Sequence, residues 1–183
     1  MLGALVLSPE TLEPIINEMG QKYNIEPAMI KGIIKAESNW DVNASRFEAH
    51  KSDASWGLMQ VLLATARGVL GKSDLTISQL TQPRVNIEAG TKLMAKNWER
   101  FGNLRDAVAA YNAGSPRLGK DGKYINAAYV DKVMKNYERY KALGTVAGNV
   151  VINVEEAVTS SESIPVYMLL LLGVAGLVIV TRE

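Results

Sequence analysis

Glu37 stands where a carboxylate is out of place. Residues 27–38 read PAMIKGIIKAES, and Ile30, Ile33 and Ile34 take the i, i+3 and i+4 positions of a buried helical stripe. The next position on that stripe, i+7, is Glu37. Keeping a lone carboxylate charged on an apolar face costs several kcal/mol, so burial favours the protonated form and raises the pKa. A proton donor poised in that way is what general acid catalysis near neutral pH requires. The plainer alternative is a solvated glutamate at a helix end.

Other groups could complete such chemistry. A glycosidic oxygen leaves poorly unless it is protonated, and most enzymes that cut such bonds pair the acid with a second carboxylate. Asp41, Glu48 and Asp53 follow Glu37 in a polar stretch and read more simply as solvated loop charges; Asp106 is explained by helix capping. Ser38 could bond to the reaction centre or close a helix. Gly57 allows backbone to approach a ligand or simply makes a turn. Gln60 can both donate and accept, which suits N-acetyl groups. Tyr111 could steady the Glu37 carboxyl or pack. Trp40 and Trp56 could stack on sugars or fill the core, and Trp98, on a helical stripe, is assigned to the core.

Four short strings carry these groups in order: Glu37-Ser38-Asn39-Trp40, Gly57-Leu58-Met59-Gln60-Val61, Asn86-Ile87-Glu88-Ala89-Gly90 and Ala110-Tyr111-Asn112-Ala113-Gly114. Each is weak alone. Together, over residues 12–140, they resemble the catalytic domain of the soluble lytic transglycosylase family, within the goose-type lysozyme-like group. The resemblance implies an all-α, lysozyme-like fold with a cleft for the glycan strands of peptidoglycan. It implies cleavage between N-acetylmuramic acid and N-acetylglucosamine to leave a 1,6-anhydro end. Glu37 aligns with the family's catalytic glutamate; Ser38, Gly57, Met59, Gln60, Tyr111 and Asn112 match its substrate-binding positions. One carboxylate suffices, because the sugar's own C6 hydroxyl closes onto C1. The family usually has proline where this chain has Val42, and often where it has Leu63, which touches loop geometry rather than reacting groups. A hydrolytic muramidase using a loop aspartate, and a catalytically idle wall-binding or assembly subunit, are the alternatives.

The elements that must position these groups are helical as far as residue 143. Thr11 can cap a helix over 12–23, with Leu12, Ile15, Ile16 and Met19 inward and Pro14 in its first turn. Pro27 opens the helix carrying Glu37, and 39–55 reads as a loop. Helices follow over 64–70, 84–101, from Asn103 (with Asp106 as a capping-box-like partner) and over 126–143, the last with Val130, Val133, Met134 and Tyr137 inward.

Composition sets the remaining limits. Twenty Lys and Arg against 19 Asp and Glu leave a net charge of +1, with no basic run for nucleic acid. The lack of Cys excludes disulfides and thiolate metal sites, and the single His50 excludes a multi-histidine one. Neither a metal nor a cofactor is expected. Residues 144–163 lack a helical period and read as a linker, with a short β element around 150–154. Residues 164–180 are 17 positions without a charge, roughly 26 Å as a helix, and read as a single transmembrane anchor in lipid. Residues 1–143 are then the catalytic domain. Arg182 places the far end in the cytoplasm and the domain on the wall side. A virion membrane or a bacterial cell envelope fits that arrangement, the virion slightly better.

Overall fold

The structure, a computed structural model, describes residues 4–48 and 53–159. The chain divides into two units, Met1–Ala142 and Leu143–Glu183. The first contains helices α1 (Pro9–Tyr23) and α2 (Pro27–Glu37), strands β1 (Ser45–Glu48), β2 (Asp53–Trp56) and β3 (Val61–Leu62), and helices α3 (Leu63–Leu70), α4 (Ile77–Leu80), α5 (Pro83–Phe101) and α6 (Leu104–Ala113). Helix α7 (Ala127–Thr159) begins in the first unit and carries on into the second.

Apolar stripes build the core of the first unit. Leu12, Ile16 and Met19 of α1, Ile30, Ile33 and Ile34 of α2, Ile87 and Met94 of α5, and Val130 and Val133 of α7 are all buried. Each large aliphatic side chain so buried contributes about 2 kcal/mol. Helix α5 is the central post, packed against α1, α3 and α6. Gly32 sets the approach of α2 to α7: a Cβ there would lie 3.0 Å from the Tyr137 nitrogen and 3.3 Å from the Val133 oxygen. Asn136 Nδ2 donates to the Gly32 carbonyl across this contact, at 3.3 Å. The close approach brings the first turns of α7 alongside the last turn of α2.

Several sequence expectations need correction. The domain is mostly helical but not all-α. Where a loop is expected over 39–55, β1 and most of β2 form, and with β3 beyond it they make an antiparallel sheet in the order β1-β2-β3, with Arg46 opposite Ser55 and Ser55 opposite Leu62. The strands are too short and too polar to show period-2 alternation. Helix α1 starts three residues early, because Ser8 Oγ accepts the Thr11 N–H and Pro9 takes the first turn, which leaves Pro14 inside the helix. Asn103 does cap α6, but the Asp106 carboxylate does not return the bond; it accepts from the Tyr124 hydroxyl at 2.7 Å.

Trp98 is 45% exposed rather than buried. It lies beside Asn24 and Ile25, at the left-handed turn that ends α1, where cover from α1 runs out. Backbone helix runs to Thr159 through the segment expected to be aperiodic, including 150–154. The anchor over 164–180 lies outside the described residues, as does His50. Among the described residues no helix is long and apolar enough to cross a membrane.

Candidate active site

Glu37 is the last residue of α2, and Ser38 ends the helix. The Ser38 hydroxyl donates to the Ile34 carbonyl at 3.2 Å and accepts the Trp40 N–H at 3.1 Å. Asn39 and Trp40 then take left-handed backbone, φ 52° and 72°, which turns the chain sharply away. Trp40 is buried, edge-on to Tyr140 with centroids 6.0 Å apart. The tryptophan thus anchors the turn, and Glu37 is left half-buried on the edge of a cleft.

That cleft is lined by Glu37, Arg46, Ser55, Gln60, Leu62 and Tyr111, with Asn97 and Arg100 of α5 and Asn112 of α6. Among the described residues of its lining, Glu37 is the lone carboxylate. Asp41 is spent elsewhere: its Oδ1 accepts the Leu5 N–H at 3.0 Å and the Asn43 N–H at 2.9 Å. Asp53 accepts the Ala54 N–H at the start of β2. The side chain of Glu48 lies outside the description.

Two tyrosines flank the carboxyl. The Tyr129 hydroxyl donates to Glu37 Oε1 at 2.7 Å. The Tyr111 hydroxyl donates its one proton to the Met59 carbonyl at 2.9 Å, so of the two tyrosines it is Tyr129 that donates to Glu37. Burial, then the negative charge of Glu37, holds both phenols well above their ordinary pKa of 10.0; for Tyr129 the neighbouring Tyr111 and the bond to Glu37 add to the rise. Tyr129 therefore keeps its proton throughout the neutral range and remains a donor.

The turn between β2 and β3 is built from inside. Gly57 has φ +74°, and a Cβ there would fall 2.5 Å from Asn86 Nδ2. Asn86, fully buried on α5, donates to the Trp56 carbonyl at 2.8 Å and the Leu80 carbonyl at 3.1 Å, and accepts the Met59 N–H at 2.8 Å. Gly90, one turn along α5, makes room for Met59: a Cβ there would lie 2.5 Å from the Met59 sulfur. The second and third strings are thus two halves of one joint. Glu88 of the third string faces away from this chemistry, accepting from Lys22 at 2.6 Å and Tyr23 at 2.9 Å to tie α5 to α1.

The structure therefore brings Glu37, Gln60, Tyr111 and Asn112 to one cleft. Ser38, Gly57 and Met59 do not line it; they shape the backbone around it. Gln60 has its amide engaged, donating to the Ala44 and Gly57 carbonyls at 2.9 Å and accepting from Ser55 at 2.9 Å. It holds a left-handed backbone, φ 47°, so those bonds offset a strained conformation. Asn112 Oδ1 accepts from Asn126 at 3.0 Å, linking α6 to the start of α7. The residues that sequence reasoning passes over are Tyr129, Arg46 and Arg100. Tyr129 lies three residues after Asn126 and next to the inward Val130, and that adjacency is its only signal. Arg46 sits in a stretch read as loop.

Comparison with known proteins adds an independent line. A family model described as the transglycosylase SLT domain matches residues 14–137. A transglycosylase of Enterobacteria phage PRD1 is 28% identical over 121 residues, covering 66% of this chain and 41% of that protein. Lysozyme g of Epinephelus coioides is 29% identical over 147 residues, covering 69% of this chain and 72% of the lysozyme. The chain thus spans about two fifths of the phage relative. Among solved structures, the 70-kDa soluble lytic transglycosylase in complex with bulgecin A superposes with a TM-score of 0.57 at 22% identity, over 71% of this chain and 24% of that one. That likeness establishes a shared fold.

Proposed function

The chain belongs to the transglycosylase SLT domain family, and from that membership and the geometry around Glu37 we propose that it is a peptidoglycan lytic transglycosylase working through a single carboxyl group. The carrying observation is Glu37 itself: half-buried, held at Oε1 by Tyr129, and the lone carboxylate among the described residues of the cleft lining.

In the reaction, the Glu37 carboxylic acid donates its proton to the oxygen between N-acetylmuramic acid and N-acetylglucosamine. The bond from that oxygen to C1 breaks, and N-acetylglucosamine departs as an alcohol. The C6 hydroxyl of the muramic residue bonds to C1 and gives its proton to the Glu37 carboxylate, restoring the acid. No water enters, and the product ends in a 1,6-anhydro ring. The Tyr129 bond disfavours a proton on Oε1. Tyr111, Asn112 and Gln60 shape the wall against which the sugars rest. No metal or cofactor takes part.

Residues 164–180 hold the domain to a membrane, with 144–163 as the connection, and the domain faces the wall from a virion membrane or a cell envelope. The phage PRD1 relative supports the virion assignment. The likeness to lysozyme g favours the second reading, hydrolysis in which water attacks C1. Mass spectrometry of released muropeptides separates the two: anhydro products one water lighter than their hydrolysed counterparts support the transglycosylase. A zymogram that shows wall binding without clearing would favour an idle wall-binding subunit instead.

A further inference from the structure

Three amide side chains line the cleft among the described residues: Gln60, Asn97 and Asn112. Their hydrogen bonds leave them unequal. Gln60 spends both N–H groups on the Ala44 and Gly57 carbonyls and its oxygen on Ser55. Asn97 Nδ2 reaches the Ala107 carbonyl at 3.4 Å. Asn112 donates to nothing among the described residues; its one bond there is at Oδ1, which accepts from Asn126 Nδ2 at 3.0 Å.

A third group decides which end of Asn112 meets Asn126. The other partner of Asn126 Nδ2 is the Ala109 carbonyl, also at 3.0 Å. A backbone carbonyl only accepts, so the Asn126 atom facing it must be the nitrogen. One of its two protons goes to Ala109 and the other to Asn112, which must then present its oxygen. The far side of Asn126 shows what this arrangement gives up: its Oδ1 is buried with no hydrogen-bond partner among the described residues. An unpaired buried acceptor is destabilising, and an apolar pair of the same shape would join α6 to α7 without it. What the amide supplies beyond a joint is a fixed orientation for Asn112. Asn126 is itself held at the start of α7, where its backbone carbonyl accepts the Tyr129 N–H at 3.0 Å and the Val130 N–H at 3.2 Å.

We propose that Asn126 is a positioning residue that locks the Asn112 amide with Nδ2 as the free donor of the cleft, so that the site selects a sugar by an acceptor oxygen, the carbonyl of an N-acetyl group. This rests on the peptidoglycan reading above, in which both sugars carry that group. A de-N-acetylated sugar offers an ammonium there and no acceptor.

The test measures binding of native and de-N-acetylated wall strands to the full chain by co-sedimentation, in Glu37→Gln protein to prevent cleavage, and steady-state kinetics with Glu37 intact. Asn126→Asp replaces the donor by an acceptor and turns the Asn112 amide over; Asn126→Ala removes the donor without adding charge. Asn112→Ala supplies the background in which neither change should matter, and thermal melting checks that each protein folds. Asn126→Asp is expected to weaken binding of native strands about tenfold, the size of one hydrogen bond, and to lower the preference for native over de-N-acetylated strands by the same factor. KM rises correspondingly while kcat stays within about twofold, as when binding is lost equally from ground and transition states. Asn126→Ala, which leaves Asn112 free to turn, costs about threefold in binding. In the Asn112→Ala background each of the two changes binding by less than about twofold. A loss equal on both kinds of strand, or a loss of the same size with and without the Asn112 amide, overturns the proposal. Should Asn126→Asp fail to fold, Asn126→Ala decides by the same two criteria. A chain that shows these binding ratios yet cleaves no strand would sink the lytic reading and leave this one standing.

Discussion

The Tyr129 hydroxyl holds one oxygen of Glu37. Tyr129→Phe keeps the ring and removes the donor to Oε1. A hydrogen bond to a charged group contributes about 1.5–3 kcal/mol, so kcat should fall by about ten- to a hundredfold with KM little changed; steady-state kinetics on purified strands checks this. The same residue has an alkaline signature. Its folded pKa, like that of Tyr111, is raised above 10.0. The stability tied to that shift is fully present below pH 10 and is lost as pH rises from there through the folded value. Denaturation curves above pH 10 should show wild type losing stability faster than Tyr129→Phe. Glu37 was legible because it interrupts a helical stripe. Tyr129 was not: it meets Glu37 only because Gly32 lets α7 lie against α2, a contact between residues nearly a hundred positions apart.

Between elements, the joint of the β2–β3 turn with α5 is the point of greatest sensitivity. Asn86→Ala removes three hydrogen bonds from a fully buried site and should cost about 3 kcal/mol or more, read as a lowered urea midpoint. Gly57→Ala forces a Cβ into the Asn86 amide at a positive φ and should cost about 1–3 kcal/mol. Because the clash is with Asn86 itself, the double variant should be less unstable than the sum of the two, a coupling that a double-mutant cycle measures. The α1–α5 tie predicts an acid response. Burial pushes the Glu88 carboxyl up, but hydrogen bonds from Lys22 and Tyr23 and the charge of Lys22 outweigh it and leave the pKa below 4.5. The stability it lends is present above pH 4.5 and lost as pH falls through the folded value, so Glu88→Gln should flatten the acid limb of a stability–pH profile. Helices α1, α2, α5 and α6 were readable from period and caps. The sheet was not, because strands of two to four residues are held by Asn86, Gln60 and Ser55 rather than by their own pattern.

At the scale of the molecule, the proposal is a catalytic domain attached through residues 164–180. Removing 164–183 should release the protein from vesicles in a flotation assay while leaving specific activity on soluble strands within about twofold, since the described lining of the cleft comes from residues 37–114. Persistent flotation of the shortened chain would exclude that segment as the anchor. The sequence led directly to the family, because its four strings meet in space: Glu37 of the first lines one cleft with Gln60 and Tyr111, the second and third interlock at Gly57, Met59, Asn86 and Gly90, and the fourth supplies Tyr111 to the Met59 carbonyl. What it hid were Arg46 and Arg100 of the cleft lining, which lie more than fifty residues apart and outside every string.

The most direct measurement is digestion of purified peptidoglycan by wild type and by Glu37→Gln, with the products weighed and the folding of both proteins checked by thermal melting. Wild type should release anhydro-terminated fragments, and Glu37→Gln should release none while melting cooperatively as wild type does. Release by the folded Glu37→Gln protein, or wild-type products carrying an added water, would contradict a single-carboxylate transglycosylase.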